Sequence, residues 1–134
     1  MNVLVVEPYK KPYEKDIDPG LSSLQSAVDG SIEAICPFEE EVAVICNEEG
    51  KLIGLPLNRV IRDENGEVSD IIAGTFIVTG LGEEDFCGLS PELMEKMKKR
   101  FETPEQFITI GGNITVLPYE VPDHQKPPKS DLER

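Results

Sequence analysis

Short apolar runs, broken every few residues by Gly, Pro or acidic turns, set the rhythm of this chain. Asn2–Glu7 (NVLVVE) is β-branched and predicts a strand that Pro8 ends. Residues 12–17 (PYEKDI) predict a second, more exposed returning strand. Leu21, Leu24, Ala27 and Val28 then recur at helical spacing, with Asp18 suited to the N-cap, Pro19 to N1 and Gly30 to C′. Residues 31–37 (SIEAICP) and 42–47 (VAVICN) predict an antiparallel pair joined by a short acidic connection. Asn47–Gly50 predicts a turn, and Lys51–Gly54 (KLIG) a third strand of the same meander. Residues 55–62 (LPLNRVIR) follow no regular period. Asp63–Gly66 predicts a turn built on Asn-Gly. Residues 70–79 (DIIAGTFIVT) are the most apolar stretch and predict one central strand, bulged or closely approached at Gly74. A Gly-rich acidic loop is expected over 80–89.

The second helix is signed at both ends. Ser90 suits the N-cap and Pro91 N1, while Leu93, Met94, Met97 and Phe101 share a face. Glu92 with Lys96 and Glu95 with Lys99 are i,i+4 pairs. Lys98, Lys99 and Arg100 sit where a helix C-terminus favours positive charge. Residues 107–110 (FITI) and 114–118 (ITVLP) flank Gly111-Gly112-Asn113, which reads as a three-residue hairpin loop. From Val121 the chain is polar and proline-containing, and a disordered tail is expected over 121–134. The pattern therefore predicts a single α+β domain over 1–120. About seven short, hairpin-rich strands form a mainly antiparallel sheet, with two helices packed on it.

Composition narrows the function classes. At 134 residues and 39% apolar content the chain suits one domain with an ordinary core. Its longest apolar runs are about five or six residues, against about 20 for a membrane helix. The opening MNVLVVEPYKK does not read as a signal peptide. Three cysteines without a CxxC, and a single histidine, fit neither a disulfide framework nor a zinc site. Cys36 and Cys46 lie in apolar runs and read as small buried hydrophobes. A reducing, cytoplasmic setting is expected. Net charge is −13, and residues 31–90 hold 13 acidic side chains against three basic ones. Such a surface repels phosphate backbones, so direct nucleic-acid binding is disfavoured. A basic protein surface is the partner it suits.

Catalytic machinery is hard to find. His124 falls in the expected tail, and no GxSxG, P-loop, GxGxxG or HExxH occurs. Gly80-Leu81-Gly82 runs straight into Glu83-Glu84-Asp85, which would repel a phosphate. The same acids, two of them close to Cys87, oppose a reactive thiolate. Neither Asp63–Glu67 nor Glu83–Asp85 has the alternating spacing of a calcium loop. No catalytic residue, metal or cofactor is expected. The stretch that stands out pairs Asn47 and Lys51 with Asn58 and Arg59. Arg59 and Arg62 are the two arginines of residues 31–90. Asn offers a paired donor and acceptor, and Arg a planar fork for carboxylate or phosphate. The plainer reading pairs Arg59 with a nearby carboxylate such as Asp63 or Asp70, which brings Asp70 into the candidate set.

VLVVEP, SLQSAV with GSIEAICPF, VAVICNEEGKLIGLPLNR and DIIAGTFIVTGLGEEDF with the SPEL helix resemble the family named domain of unknown function 3846, over residues 1 to about 118. The resemblance implies a setting in bacteria, phages or conjugative elements and supplies no catalytic residue. Taken together, the expectation is a non-enzymatic binding module, an accessory protein of a phage or conjugative element that binds a host or element-encoded partner. One alternative is a pocket for a nucleotide-like ligand, with Arg59 at the phosphate and Phe76 or Tyr13 stacked on the base. Another is a DNA mimic, which needs surface carboxylates at duplex phosphate spacing.

Overall fold

The computed structural model describes residues 1–122. The expected tail lies outside them from residue 123 onward, and Val121 is buried. The elements in chain order are β1 (Asn2–Val6), β2 (Tyr13–Asp16), α1 (Leu21–Val28), β3 (Ile32–Ile35), β4 (Val42–Asn47), β5 (Leu57–Arg62), β6 (Val68–Ala73), β7 (Phe76–Leu81), β8 (Phe86–Cys87), α2 (Pro91–Arg100), β9 (Glu105–Ile110) and β10 (Asn113–Pro118). The main sheet runs β2-β1-β7-β4-β3, with the short β8 on β7. Two further two-stranded ribbons are β5-β6 and β9-β10. Every pairing is antiparallel, so the fold is the mainly antiparallel α+β arrangement the sequence predicts.

The central strands are apolar on both faces because both faces are covered. Leu4, Val6, Val42, Val44, Phe76 and Val78 point to one side, where Met94, Met97 and Phe101 from the second helical segment and Ile61 and Ile72 from the ribbon meet them. Val3, Val5, Ala43, Ile45 and Ile77 point to the other, against Leu24 and Val28 of α1. A strand with one solvated face would alternate apolar and polar residues; these runs do not, which is the mark of a buried central strand. Burying each such side chain contributes about 1.5–3 kcal/mol.

Several elements depart from expectation. Residues 55–62, which show no period, form β5; its Asn58 and Arg59 are both buried, so polarity does not track exposure there. Register shifts between Leu57 and Arg59 and between Ile61 and Arg62 break its alternation further. Lys51–Gly54 is a turn and not a strand. The expected single strand over 70–79 is two strands in different sheets, β6 and β7, with Gly74 at the corner. Its φ of 80° is closed to most side chains, and a Cβ there would lie 2.7 Å from Leu55 Cδ1. The 80–89 loop contains the short strand β8. α1 starts later than its Asp-Pro signal suggests, at Leu21 with Gly20 as N-cap. The hairpin loop between β9 and β10 has two residues, because Ile110 pairs directly with Asn113; Gly111 and Gly112 take φ of 58° and 84°, the positive values of a type I′ turn. Cys36 is exposed, because β3 ends one residue before it, while Cys46 is buried as expected.

α2 matches its signals. Ser90 Oγ accepts the Leu93 amide at 3.2 Å, Pro91 opens the helix, and Lys98, Lys99 and Arg100 close it. Ser90→Ala is expected to cost about 0.5–2 kcal/mol of stability, read as a lower urea midpoint at unchanged m-value. The anticipated i,i+4 pairs do not form. Lys96 reaches Glu40 at 3.3 Å and Lys98 reaches Glu14 at 3.0 Å, so these lysines tie the helix to the β3–β4 connection and to strand β2. Among the described residues no helix is long and apolar enough to cross a membrane.

Candidate functional site

The candidate residues separate into three places. Asn47, at the end of β4, donates from Nδ2 to Val28 O at 3.1 Å and Asp29 O at 3.2 Å. It thereby closes the C-terminus of α1, whose last carbonyls have no partner within the helix. A Cβ on Gly30 would sit 2.6 Å from that Nδ2, so glycine is what lets the two segments approach. Lys51 and Asp70 form an exposed ion pair at 2.9 Å between the turn after β4 and β6. Asn58 and Arg59 alone come together, in the interior.

Asn58 is fully buried and donates from Nδ2 to Val6 O and to Gly74 O, both at 2.8 Å. Its Oδ1 accepts from Arg59 Nη1 at 2.8 Å. Arg59 is 1% exposed. Nε donates to Phe101 O, Nη1 to Asn58 O as well as Oδ1, and Nη2 to Lys10 O and Phe101 O. A guanidinium has five N–H donors, and these five bonds use them all. The anticipated pairing with Asp63 or Asp70 is absent: Asp70 is held by Lys51, and no carboxylate lies within ion-pair distance of Arg59 among the described residues. Phe101 O belongs to the residue that caps α2, where the helix dipole is negative. Carbonyl dipoles thus replace a counter-ion. Desolvation lowers the Arg59 pKa to about 10, the charge of Glu105 acting the other way, so the group stays protonated at neutral pH. This network clasps the end of β1, the β6–β7 corner, the β1–β2 loop and the end of α2.

Above the clasp lies a cleft of about 710 Å³, between the β3–β4 connection, β5, the end of α2 and the start of β9. Val60 to Glu64 form one wall, Pro37 to Glu40 the other, and Arg100, Thr103 and Glu105 the end. Its cations are committed. Arg100 Nη1 pairs with Glu40 Oε1 at 3.2 Å, and its Cζ lies 4.1 Å from the Phe38 ring centroid, a cation–π distance. Arg62 donates to Gly66 O. Glu40 also takes Lys96, and a hydrogen bond from its own backbone amide together with the Arg100 and Lys96 contacts holds its carboxyl below the usual glutamate range. Glu105 spends one oxygen on the Val60 amide at 2.8 Å. Glu39, Asp63 and Glu64, all exposed, take part in none of the ion pairs among the described residues. The rim is therefore negative.

Phe76, a stacking candidate, is fully buried, while Tyr13 is exposed on edge strand β2. The acids gather in turns (Glu39–Glu41, Glu48–Glu49, Asp63–Glu64 and Glu83–Asp85) and not along a ladder. No group of His, Cys, Asp and Glu among the described residues could hold a metal ion. Cys46 is buried, and desolvation, then Glu33, pushes its thiol up to about 11. Native protein treated with a thiol reagent at mild alkaline pH should label at Cys36 and Cys87, which are exposed, and at Cys46 only after denaturation; mass spectrometry of the labelled peptides reads the result.

A family model described as Domain of unknown function (DUF3846) matches residues 1–102. The chain belongs to this family. The DUF3846 match spans β1 through α2, and thus the whole main sheet, both helices and the clasp formed by Asn58 and Arg59. It stops short of the hairpin β9-β10, which the resemblance over residues 1 to about 118 had included. The end of the cleft at Glu105 therefore lies outside the DUF3846 region. No curated protein and no solved structure gives a match to this chain.

The sequence reading missed the cleft because its walls come from segments that look unrelated. Glu39 and Glu40 sat in a connection, and Arg100 in a cluster assigned to helix-dipole chemistry. The available signal was the acidic triplet Glu39–Glu41 between two buried strands, a place where turn residues need not be acidic.

Proposed function

We propose that this protein is a non-enzymatic, cytoplasmic binding module whose cleft takes a Lys- or Arg-bearing segment of a partner protein. The observation that carries the reading is the charge state of the cleft. Its three arginines are satisfied from within the molecule, while Glu39, Asp63 and Glu64 at the rim have no ion-pair partner among the described residues. An incoming ammonium or guanidinium meets these rim carboxylates and the apolar side of Phe38. An incoming phosphate meets the same carboxylates and no free arginine among the described residues lining the cleft, which weighs against a nucleotide-like ligand. Asn58 and Arg59 act in this reading as positioning residues that fix the floor, and the Lys51–Asp70 pair lies outside the cleft. A long-range field from the net charge of −13 would steer basic partners and weaken with salt.

The test uses a Lys/Arg-rich peptide as probe, with chemical-shift mapping on the full chain. Amide shifts should concentrate at Val60–Glu64 and Phe38–Glu40. Glu39→Lys with Glu64→Lys should weaken binding by about tenfold or more. Glu48→Lys with Glu49→Lys changes net charge equally in a turn outside the cleft and should leave most of the affinity. Equal losses from both pairs, or shifts spread over all acidic turns, would mean general charge attraction and end the cleft reading.

A further inference from the structure

Among the described residues, β10 is the one sheet-edge strand longer than two residues that carries no charged side chain. Edge strand β2 reads Tyr13-Glu14-Lys15-Asp16 and is exposed throughout. Edge strand β3 carries Glu33, and β6 carries Asp70 and faces a bulged partner. Charged side chains and bulges are the usual means of keeping an edge from pairing with another chain. Beyond Glu105 at its first position, the hairpin β9-β10 has neither. Residues 106–118 (QFITIGGNITVLP) contain no charged side chain, in a chain whose net charge is −13. The register is continuous from Asn113↔Ile110 to Pro118↔Glu105, without a bulge.

The hairpin is also apolar where it is exposed. Cross-strand register places Ile108, Ile110, Thr115 and Leu117 on one face. Ile110 is 62% exposed, and Ile114, on the opposite face, 53%. β9 leans on the β5 ribbon through Glu105 and Val60, so its outer side is occupied at that end. β10 pairs with β9 alone among the described residues. Antiparallel ladders alternate bonded and non-bonded pairs. Tyr119 N donates to Pro104 O at 2.8 Å, which places the bonded pairs at 104/119, 106/117, 108/115 and 110/113. The amides and carbonyls of Ile114 and Val116 therefore point away from β9. Pro118, which has no N–H, occupies the next outward position and ends the open run.

We infer that β10 is a self-association edge, pairing antiparallel with β10 of a second copy across a two-fold axis. Two copies that each carry −13 repel wherever charged surfaces meet, and this is the one extended edge where neither brings charge. The antiparallel pairing of a strand with itself is isologous, so each copy supplies the same donors and acceptors. A two-stranded ribbon is marginal alone, whereas the paired form is a four-stranded sheet with a continuous apolar stripe. A charged partner would find nothing here to recognise. Residues 123–134 (DHQKPPKSDLER) include only one large apolar side chain, Leu132, and make a poor cover for four exposed apolar residues.

Sedimentation velocity on the full chain over a range of protein and salt concentrations tests this. The expected result is a monomer–dimer equilibrium that tightens with salt, since screening relieves the repulsion between copies. Ile114→Pro removes an outward amide that β9 does not use, and Thr115→Lys puts a charge beside the two-fold axis. Each should raise the dimer dissociation constant about tenfold or more while the monomer keeps its unfolding transition. If Ile114→Pro fails to fold, Thr115→Lys decides alone. In wild type, hydrogen exchange at Ile114 and Val116 should slow as concentration rises. A monomer under all conditions, or a dimer indifferent to Thr115→Lys, overturns the inference. Concentration-independent protection of those amides in a monomer would assign the cover to the chain's own residues 123–134, and overturns it equally.

Discussion

Arg59→Met is expected to lower the unfolding free energy by about 3–5 kcal/mol. Methionine keeps roughly the volume and relieves a desolvated charge, which acts in its favour. The loss is larger. Five hydrogen bonds disappear; Phe101 O and Asn58 Oδ1 are left in the interior with fewer donors or none, and the partly buried Lys10 O also loses its donor. Each buried polar group left unpaired costs about 1–3 kcal/mol. Domains of this size are stable by about 5–15 kcal/mol in total, so the variant should show a much lower denaturant midpoint at an m-value near wild type. Arg59→Lys separates geometry from charge. It keeps the cation but brings three donors on a point, where the fork reaches Lys10 O and Phe101 O together. It should also destabilise. A lysine variant as stable as wild type would show that charge opposite the α2 carbonyl end, and not the fork, holds the clasp.

Asn58→Ala is expected to cost about 2–4 kcal/mol. Its Nδ2 is a donor for Val6 O at the end of β1 and Gly74 O at the β6–β7 corner, and each carbonyl loses that buried bond. Asn58→Asp tests the polarity of the contact: it keeps the acceptor for Arg59 but supplies no donor to those carbonyls. The costs of Asn58→Ala and Arg59→Met should not add, because each removes the Nη1–Oδ1 bond that the other also removes. A double-mutant cycle by urea denaturation measures this. Strict additivity would mean that the two side chains are neighbours without coupling.

The contrast between what sequence patterns revealed and what they hid follows from which groups carry the information. α2 was legible because its boundaries are written in side chains: Ser90, Pro91 and a basic last turn. The strand character of β1, β4 and β7 was legible because covering both faces of a strand requires an unbroken apolar run. β5 was not legible. The first two of its four consecutive buried positions are Asn58 and Arg59, and any pattern-based reading assigns such residues to solvent. Splitting 70–79 into two strands also needed tertiary information, since apolar residues lie on both sides of Gly74, which suits a bulge as well as a corner. For the site, the rarity of arginine in an acidic stretch did mark Arg59 as special. What it binds was invisible, because all but one of its acceptors are main-chain carbonyls, which every residue possesses. The cleft was hidden for a related reason: its walls meet only once β5 and α2 are docked.

Strand β7 sits between β1 and β4 and is the only element bonded to both. During synthesis β1 and β2 leave the ribosome well before β7, and the edge of β1 that ends up inside the sheet stays open until residues 76–81 have emerged. The same holds for the inner edge of β4. Some seventy residues must wait as two disconnected hairpin-like pieces, and the loop closed when β1 meets β7 is one of the long ones that slow folding. A nascent chain stalled before Phe76 would present two unpaired apolar strands, the kind of surface that chaperones hold until the joining strand arrives.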